Sequence, residues 1–234
     1  MHNGILYIVA TPIGNLQDIT LRAIEVLKSV DYIACEDTRK SGILLKSIGM
    51  QTKPMLVSFY EQVEQLRTQN ILNLLQNGRD VALISDSGTP TISDPGFRLV
   101  RQCLREDIKV VSIPGPSAAI SAIVSSGLPT DKFIFLGFLP RKEGHRTTAL
   151  KNVKEANKKL EATVVIYEAP HRLIKSLNSI QSVFGNIQIT LMRELTKIHE
   201  ERISDFVENI IQKYEKQAPR GEYVILFNPK TNEE

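Results

Sequence analysis

Several common ways of building a functional site are missing from this sequence. Its two cysteines, Cys35 and Cys103, have neither metal-ligand spacing nor the density of a disulfide framework, which suits a reducing cytoplasm. No apolar run approaches the roughly 20 residues of a membrane span. An apolar stretch starts at Gly4, so a signal peptide is not expected. His199-Glu200 opens like a zinc-protease motif, but Ile203 stands where the second histidine is required, and no metal is expected. The turn after the first apolar run holds one glycine, Gly14, so neither the dinucleotide fingerprint nor a phosphate-binding P-loop is present. Gly115-Pro116-Ser117-Ala118-Ala119 lacks the second glycine of a nucleophile elbow, which leaves Ser117 as a helix cap.

What is present is an ordinary soluble composition, 42% hydrophobic and 24% charged over 234 residues, long enough for one large or two small domains. Short apolar runs at 4–10, 32–35, 55–59, 81–84 and 109–113 read as buried strands. They alternate with helical patterns opened by Asp18 and running over 61–77, 97–106 and 118–126, which argues for a parallel sheet covered on both faces. Gly127-Leu128-Pro129-Thr130-Asp131 is the clearest break. A second set follows it, with strands at 132–138, 162–167, 188–193 and 223–227 and helices at 146–160, 170–183 and 204–217. The expected fold class is α/β, with two α/β domains at 1–116 and 117–234.

The stretch 81–96, VALISDSGTPTISDPG, carries the strongest functional signal. A strand buried on both faces runs into Ser85-Asp86-Ser87-Gly88-Thr89-Pro90, and ligands of open α/β sheets bind at such carboxyl ends. Small residues there let a ligand approach the backbone. Gly88→Val is therefore expected to abolish ligand binding by filling that space, with little effect on folding. Glu36-Asp37 ends another strand, and two adjacent carboxylates there either serve as acid and base or cap the next helix and pair with Arg39. From 141 to 159, seven basic residues (Arg141, Lys142, Arg146, Lys151, Lys154, Lys158, Lys159) face only Glu143 and Glu155. That leaves +5 locally in a chain of net charge +3. The segment is either a polyanion-binding face or a solvated helix surface.

Taken in order, the turns form a recognisable set. They are Thr11-Pro12-Ile13-Gly14-Asn15-Leu16, Glu36-Asp37-Thr38-Arg39, the 85–90 loop, Ser93-Asp94-Pro95-Gly96 and Pro114-Gly115-Pro116-Ser117. Gly137-Phe138-Leu139-Pro140, Tyr167-Glu168-Ala169-Pro170-His171-Arg172, Arg193-Glu194-Leu195-Thr196-Lys197 and Gly221-Glu222 follow. The set resembles the ribosomal-RNA-directed members of the tetrapyrrole methylase superfamily, a two-domain α/β architecture unlike Rossmann-type methyltransferases. The likeness spans roughly 6–227, almost the whole chain.

The resemblance implies S-adenosylmethionine in a cleft between the two domains. It implies methylation of the 2′-oxygen of a cytidine in bacterial small-subunit ribosomal RNA, on free RNA or an assembled subunit. Ser85, Asp86, Ser87, Gly88, Thr89, Pro90, Ser117 and Ala118 would hold the amino-acid and ribose portions. The backbone around Tyr167 and Leu195, with Gly221 and Glu222, would frame the adenine. Pro12 and Gly14 would face the substrate with Arg141, Lys142, Arg146, Lys151 and Lys154. His171 and Arg172 either contact RNA or cap a helix. A ribose hydroxyl is a poor nucleophile, so a base is expected among Asp86, Glu168, Lys197, Glu36, Asp37 and Glu194. Lysine would need desolvation or a neighbouring cation to be neutral. The resemblance also implies a cytoplasmic homodimer. A same-fold enzyme acting on a small molecule such as a tetrapyrrole is the alternative; it would have an apolar substrate trough and no use for the 141–159 charge.

Overall fold

The computed structural model describes residues 2–50 and 54–230, which divide into two units, Met1–Ser117 and Ala118–Glu234. In the first, β1 (Leu6–Val9), β2 (Tyr32–Cys35), β3 (Met55–Ser58), β4 (Val81–Ile84) and β5 (Val110–Ile113) form one sheet in the order β3-β2-β4-β1-β5. Every pairing is parallel. The helices α1 (Leu21–Ser29), α2 (Thr38–Ser47), α3 (Glu64–Gln76) and α4 (Phe97–Arg105) connect them. All four residues of β4 are buried, because successive side chains serve opposite faces. Val81 and Leu83 join a core with Ile71, Leu75, Leu99 and Cys103 of α3 and α4, whereas Ala82 and Ile84 join Ala23, Leu27 and Leu45 of α1 and α2. Burial on both faces is why the run reads as continuously apolar. Parallel pairing also has a functional consequence. It brings the carboxyl ends of β1, β2, β4 and β5, and the loops that leave them, to one edge of the sheet.

One boundary differs from the sequence reading. Asp18 does not open α1; it closes a 3-10 turn, Leu16–Asp18, in which the Gln17 amide donates to the Asn15 side chain at 3.0 Å. The helix begins three residues later, where Thr20 Oγ1 accepts from the Ala23 amide at 3.1 Å. Two short polar side chains compete for the same stretch, and each closes its own turn.

The second unit holds α5 (Ala118–Ser126), β6 (Phe133–Phe138), α6 (Glu143–Leu160), β7 (Thr163–Glu168), α7 (Leu173–Phe184), β8 (Gln188–Arg193), β9 (Glu201–Phe206), α8 (Val207–Lys216) and β10 (Tyr223–Phe227). Its sheet runs β6-β7-β10-β8-β9, parallel only between β6 and β7 and antiparallel elsewhere. A core of Leu150, Val164, Ile166, Leu177, Ile180, Leu191, Ile210 and Phe227 joins α6, α7 and α8 to it. The helix expected at 204–217 starts only at Val207. Before it, Glu201–Phe206 is an edge strand paired with β8, with half-buried and exposed residues in strict alternation. The alternating residues Glu201, Ile203 and Asp205 are mixed in polarity, which masks the period of two. What fixes the strand is its hairpin partner: Arg193 of β8 pairs with Glu201 at 3.0 Å, and Lys213 of α8 reaches the same carboxylate at 2.8 Å.

Candidate functional site

At the loop edge of the first unit, three turns are fastened together. Thr11, 1% exposed, exchanges both backbone hydrogen bonds with Gly88, at 2.9 and 3.0 Å. Its hydroxyl donates towards the carbonyls of Ser85 (3.2 Å) and Gly88 (3.4 Å). Thr89 Oγ1 donates to the Pro116 carbonyl at 3.0 Å, tying in the turn after β5. Gly88 has φ +81, and a Cβ there would lie 3.4 Å from Ile13 Cγ2. The glycine is thus favoured by its left-handed backbone conformation, while the space beside it is at ordinary contact distance. Ser85 is buried, with its hydroxyl turned onto the carbonyls of Ser87 and Gly88. The side chains this loop presents outward are Ser87, exposed, with Asp86 and Thr89 half-buried. Pro12 is buried and Gly14 exposed.

Beside this loop, β2 ends in Glu36-Asp37, and the adjacency of β2 and β4 brings them to Asp86. One Asp86 oxygen accepts from the Asp37 amide at 3.1 Å and the other from Lys40 Nζ at 2.7 Å. The Asp86 amide donates to Glu36 Oε1 at 3.2 Å. Asp37 takes the capping role: it receives the Arg39 amide at 2.9 Å and the Arg39 guanidinium on both oxygens. Those bonds hold its carboxyl well below the usual range. Glu36 moves the other way. Burial raises its pKa, and the negative charge of Asp86 adds to this against the Asp86 amide and Lys40. Neighbouring carboxylates with opposite shifts mark a place where proton transfer can be arranged.

In the second unit, the Tyr167 hydroxyl accepts from the Ala119 amide at 3.0 Å, fastening the end of β7 to the first turn of α5. Its ring packs edge-on against Phe135 and Phe138. Glu168, a candidate base, is 1% exposed and occupied: the Ala169 amide (2.9 Å) and Arg172 Nε (3.3 Å) face one oxygen, and the Ser176 hydroxyl donates to the other. Its carboxylate organises the unit's interior. Leu195 is buried within a turn whose Glu194 and Thr196 have φ of 50 and 66. That turn is stapled to the strand entry opposite: the Glu194 amide donates to the Glu222 carbonyl at 3.0 Å and the Glu222 amide to Glu194 Oε1 at 2.9 Å. Gly221 packs so tightly on Glu194 that a Cβ would fall 2.5 Å from its Cγ.

Lys197 bridges Glu194 and Glu222 at 2.9 Å each. Burial alone would lower its pKa, but the hydrogen bonds and charges of the two carboxylates outweigh burial and raise it. A base needs the neutral amine, and this environment keeps the ammonium. Lys197 is thus held as a staple between the two carboxylates, an environment that opposes the proton-accepting role expected of it.

The basic segment divides in two. Arg141, Lys142 and Lys151 are exposed. Lys154 Nζ donates to the Val183 carbonyl at 2.6 Å, and Lys158 pairs with Glu155 at 2.8 Å. Arg146 points inward, 5% exposed, and is no part of an outer face. The sequence held a signal for this: Arg146, Leu150, Val153 and Asn157 recur at helical spacing, and all four are buried. Arg172 is likewise turned onto Glu168, while His171 beside it is exposed. Thr11 and Lys40 were missed as site-forming side chains, because their partners are apparent only once β4 is known to lie between β1 and β2.

Comparisons with known proteins agree with this arrangement. A family model described as tetrapyrrole (corrin/porphyrin) methylases matches residues 5–211. A protein of Hydrogenobaculum sp. (strain Y04AAS1), named ribosomal RNA small subunit methyltransferase I, is 46% identical over 224 residues, covering 95% of each chain. One of the same name from Thermotoga maritima is 44% identical over 227 residues, 97% of this chain and 99% of the relative. The X-ray structure of a cobalamin biosynthetic enzyme, cobalt precorrin-4 methyltransferase, superposes with a TM-score of 0.69 at 15% identity, covering 95% of this chain and 93% of that one, a likeness of fold. With the family model matched from β1 into α8 and relatives aligned along nearly their whole lengths, the chain belongs to the tetrapyrrole methylases and groups there with the proteins named ribosomal RNA small subunit methyltransferase I.

Proposed function

We propose that this protein transfers a methyl group from S-adenosylmethionine to the 2′-oxygen of a cytidine ribose in bacterial small-subunit ribosomal RNA. The observation that carries the reading is the identity of 44–46%, over nearly full length, to relatives bearing that enzyme's name. Two features support it. The parallel sheet gathers its loops at one edge, and the loop before α6 with the outer face of α6 presents Arg141, Lys142 and Lys151 to a polyanion.

The residues fit the cofactor's chemistry. S-adenosylmethionine supplies an activated methyl group on a sulfonium, and it carries a second cation in its ammonium. The loop edge of the first unit carries the carboxylates of Glu36, Asp37 and Asp86, with an outward hydroxyl on Ser87, groups suited to cations and to a ribose. Residues 85–90 with Ser117, and Ala118, the backbone near Tyr167 and Leu195, and Gly221-Glu222, are proposed to hold it. The protein's work is chiefly alignment of the nucleophilic oxygen.

The proton of that hydroxyl goes to a carboxylate of the Asp86–Glu36 pair. Within that pair Asp86 is held by Lys40 and the Asp37 amide, which leaves Glu36 as the acceptor. The remaining candidates are committed: Asp37 to Arg39, Glu168 to Arg172 and Ser176, and Glu194 to Lys197. No helix among the described residues is long and apolar enough to cross a membrane, and an RNA substrate supports a cytoplasmic site of action. The family resemblance supports a homodimer.

The test is to offer methyl-labelled S-adenosylmethionine with separated ribosomal subunits and, in parallel, with a small tetrapyrrole. Label in small-subunit RNA alone supports the reading; transfer only to a small tetrapyrrole would replace it.

A further inference from the structure

Three consecutive backbone carbonyls, those of Leu139, Pro140 and Arg141, are captured by two inward-facing arginines. Arg146 Nη1 donates to Arg141 O at 3.1 Å and approaches Pro140 O at 3.5 Å, while Arg172 Nη2 donates to Leu139 O. Both guanidinium groups are anchored at their other side. Arg146 Nε donates to Ser179 Oγ at 2.8 Å, and that hydroxyl donates on to Lys175 O at 3.0 Å. Arg172 Nε faces Glu168, which Ser176 and the Ala169 amide fix in turn. The planar, multi-donor guanidinium suits this use, since it can grip a carbonyl and an anchor at once.

The captured segment joins β6 to α6, and it carries Arg141 and Lys142 outward. Left free, such a loop would sample many conformations, and ordering it on RNA would cost entropy at each encounter. The two arginines have removed that freedom beforehand. Turning carbonyl oxygens inward onto guanidiniums also takes acceptor dipoles away from the side where a phosphate would approach.

We propose that Arg146 and Arg172 are positioning residues for RNA: they act through Arg141 and Lys142 by holding the 139–142 loop in its RNA-competent form. The inference rests on the RNA-methylating reading. It assigns these arginines no direct contact with the substrate.

The test is a double-mutant cycle read as affinity for separated small ribosomal subunits, with cofactor affinity and thermal unfolding measured alongside. Arg141→Gln and Arg146→Met should each weaken subunit binding about three- to tenfold, the scale of losing a phosphate contact. The double variant should be no weaker than the worse single, and cofactor affinity should stay at the wild-type value. Arg146→Lys keeps the charge but loses the fork, and it should not restore affinity. If Arg146→Met does not fold, Ser179→Ala removes one anchor and enters the same cycle with Arg141→Gln. Additive effects, or wild-type subunit affinity in a folded Arg146 or Ser179 variant, would overturn the inference alone. A wild-type protein with no affinity for small subunits would overturn the RNA reading with it.

Discussion

Thr11 and Gly88 form a two-residue antiparallel bridge, with reciprocal N···O distances of 2.9 and 3.0 Å, between loops that leave parallel strands β1 and β4. The bridge sets the spacing of the loops proposed to bind cofactor and substrate. It also changes what Gly88 is for.

Gly88→Val is now expected to act first on folding. A β-branched residue at φ +81 is strained by its backbone conformation. A loss of about 1–2 kcal/mol is expected in denaturant unfolding, from the left-handed backbone. Wild-type stability in this variant would restore the expectation that the glycine merely leaves room for a ligand.

The Asp86–Glu36 pair should carry the pH dependence. A raised Glu36 pKa means that the carboxylate form, the one able to accept a proton, appears only above the ordinary glutamate range. Activity should therefore rise with pH through that raised value. Glu36→Gln should lower kcat about 10²- to 10⁴-fold, the usual worth of a general base, and Asp86→Asn should lower it by a smaller factor, acting through Glu36. If both variants turned over like the wild type, the base would lie elsewhere.

Much of the fold was legible because its strands are short apolar runs, two of them wholly buried. Val81–Ile84 and Tyr223–Phe227 announce themselves by uninterrupted apolar runs between polar turns. The edge strand Glu201–Phe206 did not, because its inner positions include Glu201 and Asp205 and its identity depends on pairing with β8. At the site, the loops were legible from their small residues, but their mutual contacts were not. Lys40 meets Asp86 only because β2 and β4 are neighbours, and Lys197 reads as a free amine until Glu222, on a separate segment, is brought against it. The inward turn of Arg146 was readable from its spacing to Leu150, yet a net charge summed along the segment conceals it.

Lys197→Met should weaken the staple without removing a base. At neutral pH a loss of about 1 kcal/mol or less is expected, since the bridge is partly solvated. The sign follows from two shifts. Glu194 is depressed, with burial opposed and outweighed by the Glu222 amide and by Lys197, so its share is lost as pH falls below the ordinary glutamate value. Lys197 is raised, so its share is lost only as pH climbs through a value above that of ordinary lysine. The stability gap between wild type and variant should be widest near neutrality and narrow in acid. A variant whose pH–rate profile loses a limb, at unchanged stability, would return Lys197 to the list of bases.

The lysines of α6 should separate by partner. Lys151→Gln should weaken subunit binding and reduce the slope of log affinity against log salt by about 1. Lys154→Gln should instead lower stability, because its ammonium holds the Val183 carbonyl at 2.6 Å. Equal salt slopes in wild type and Lys151→Gln would make the outer face of α6 a solvated surface.

Alkaline hydrolysis of the labelled product decides whether the methyl group goes to a ribose 2′-oxygen of small-subunit RNA. A free 2′-hydroxyl is needed for alkali to cleave the adjacent phosphodiester, so a 2′-O-methyl leaves one resistant dinucleotide. All label is expected in a single such dinucleotide, with cytidine as its 5′ nucleoside. Label released as ordinary mononucleotides, and therefore on a base, would contradict it.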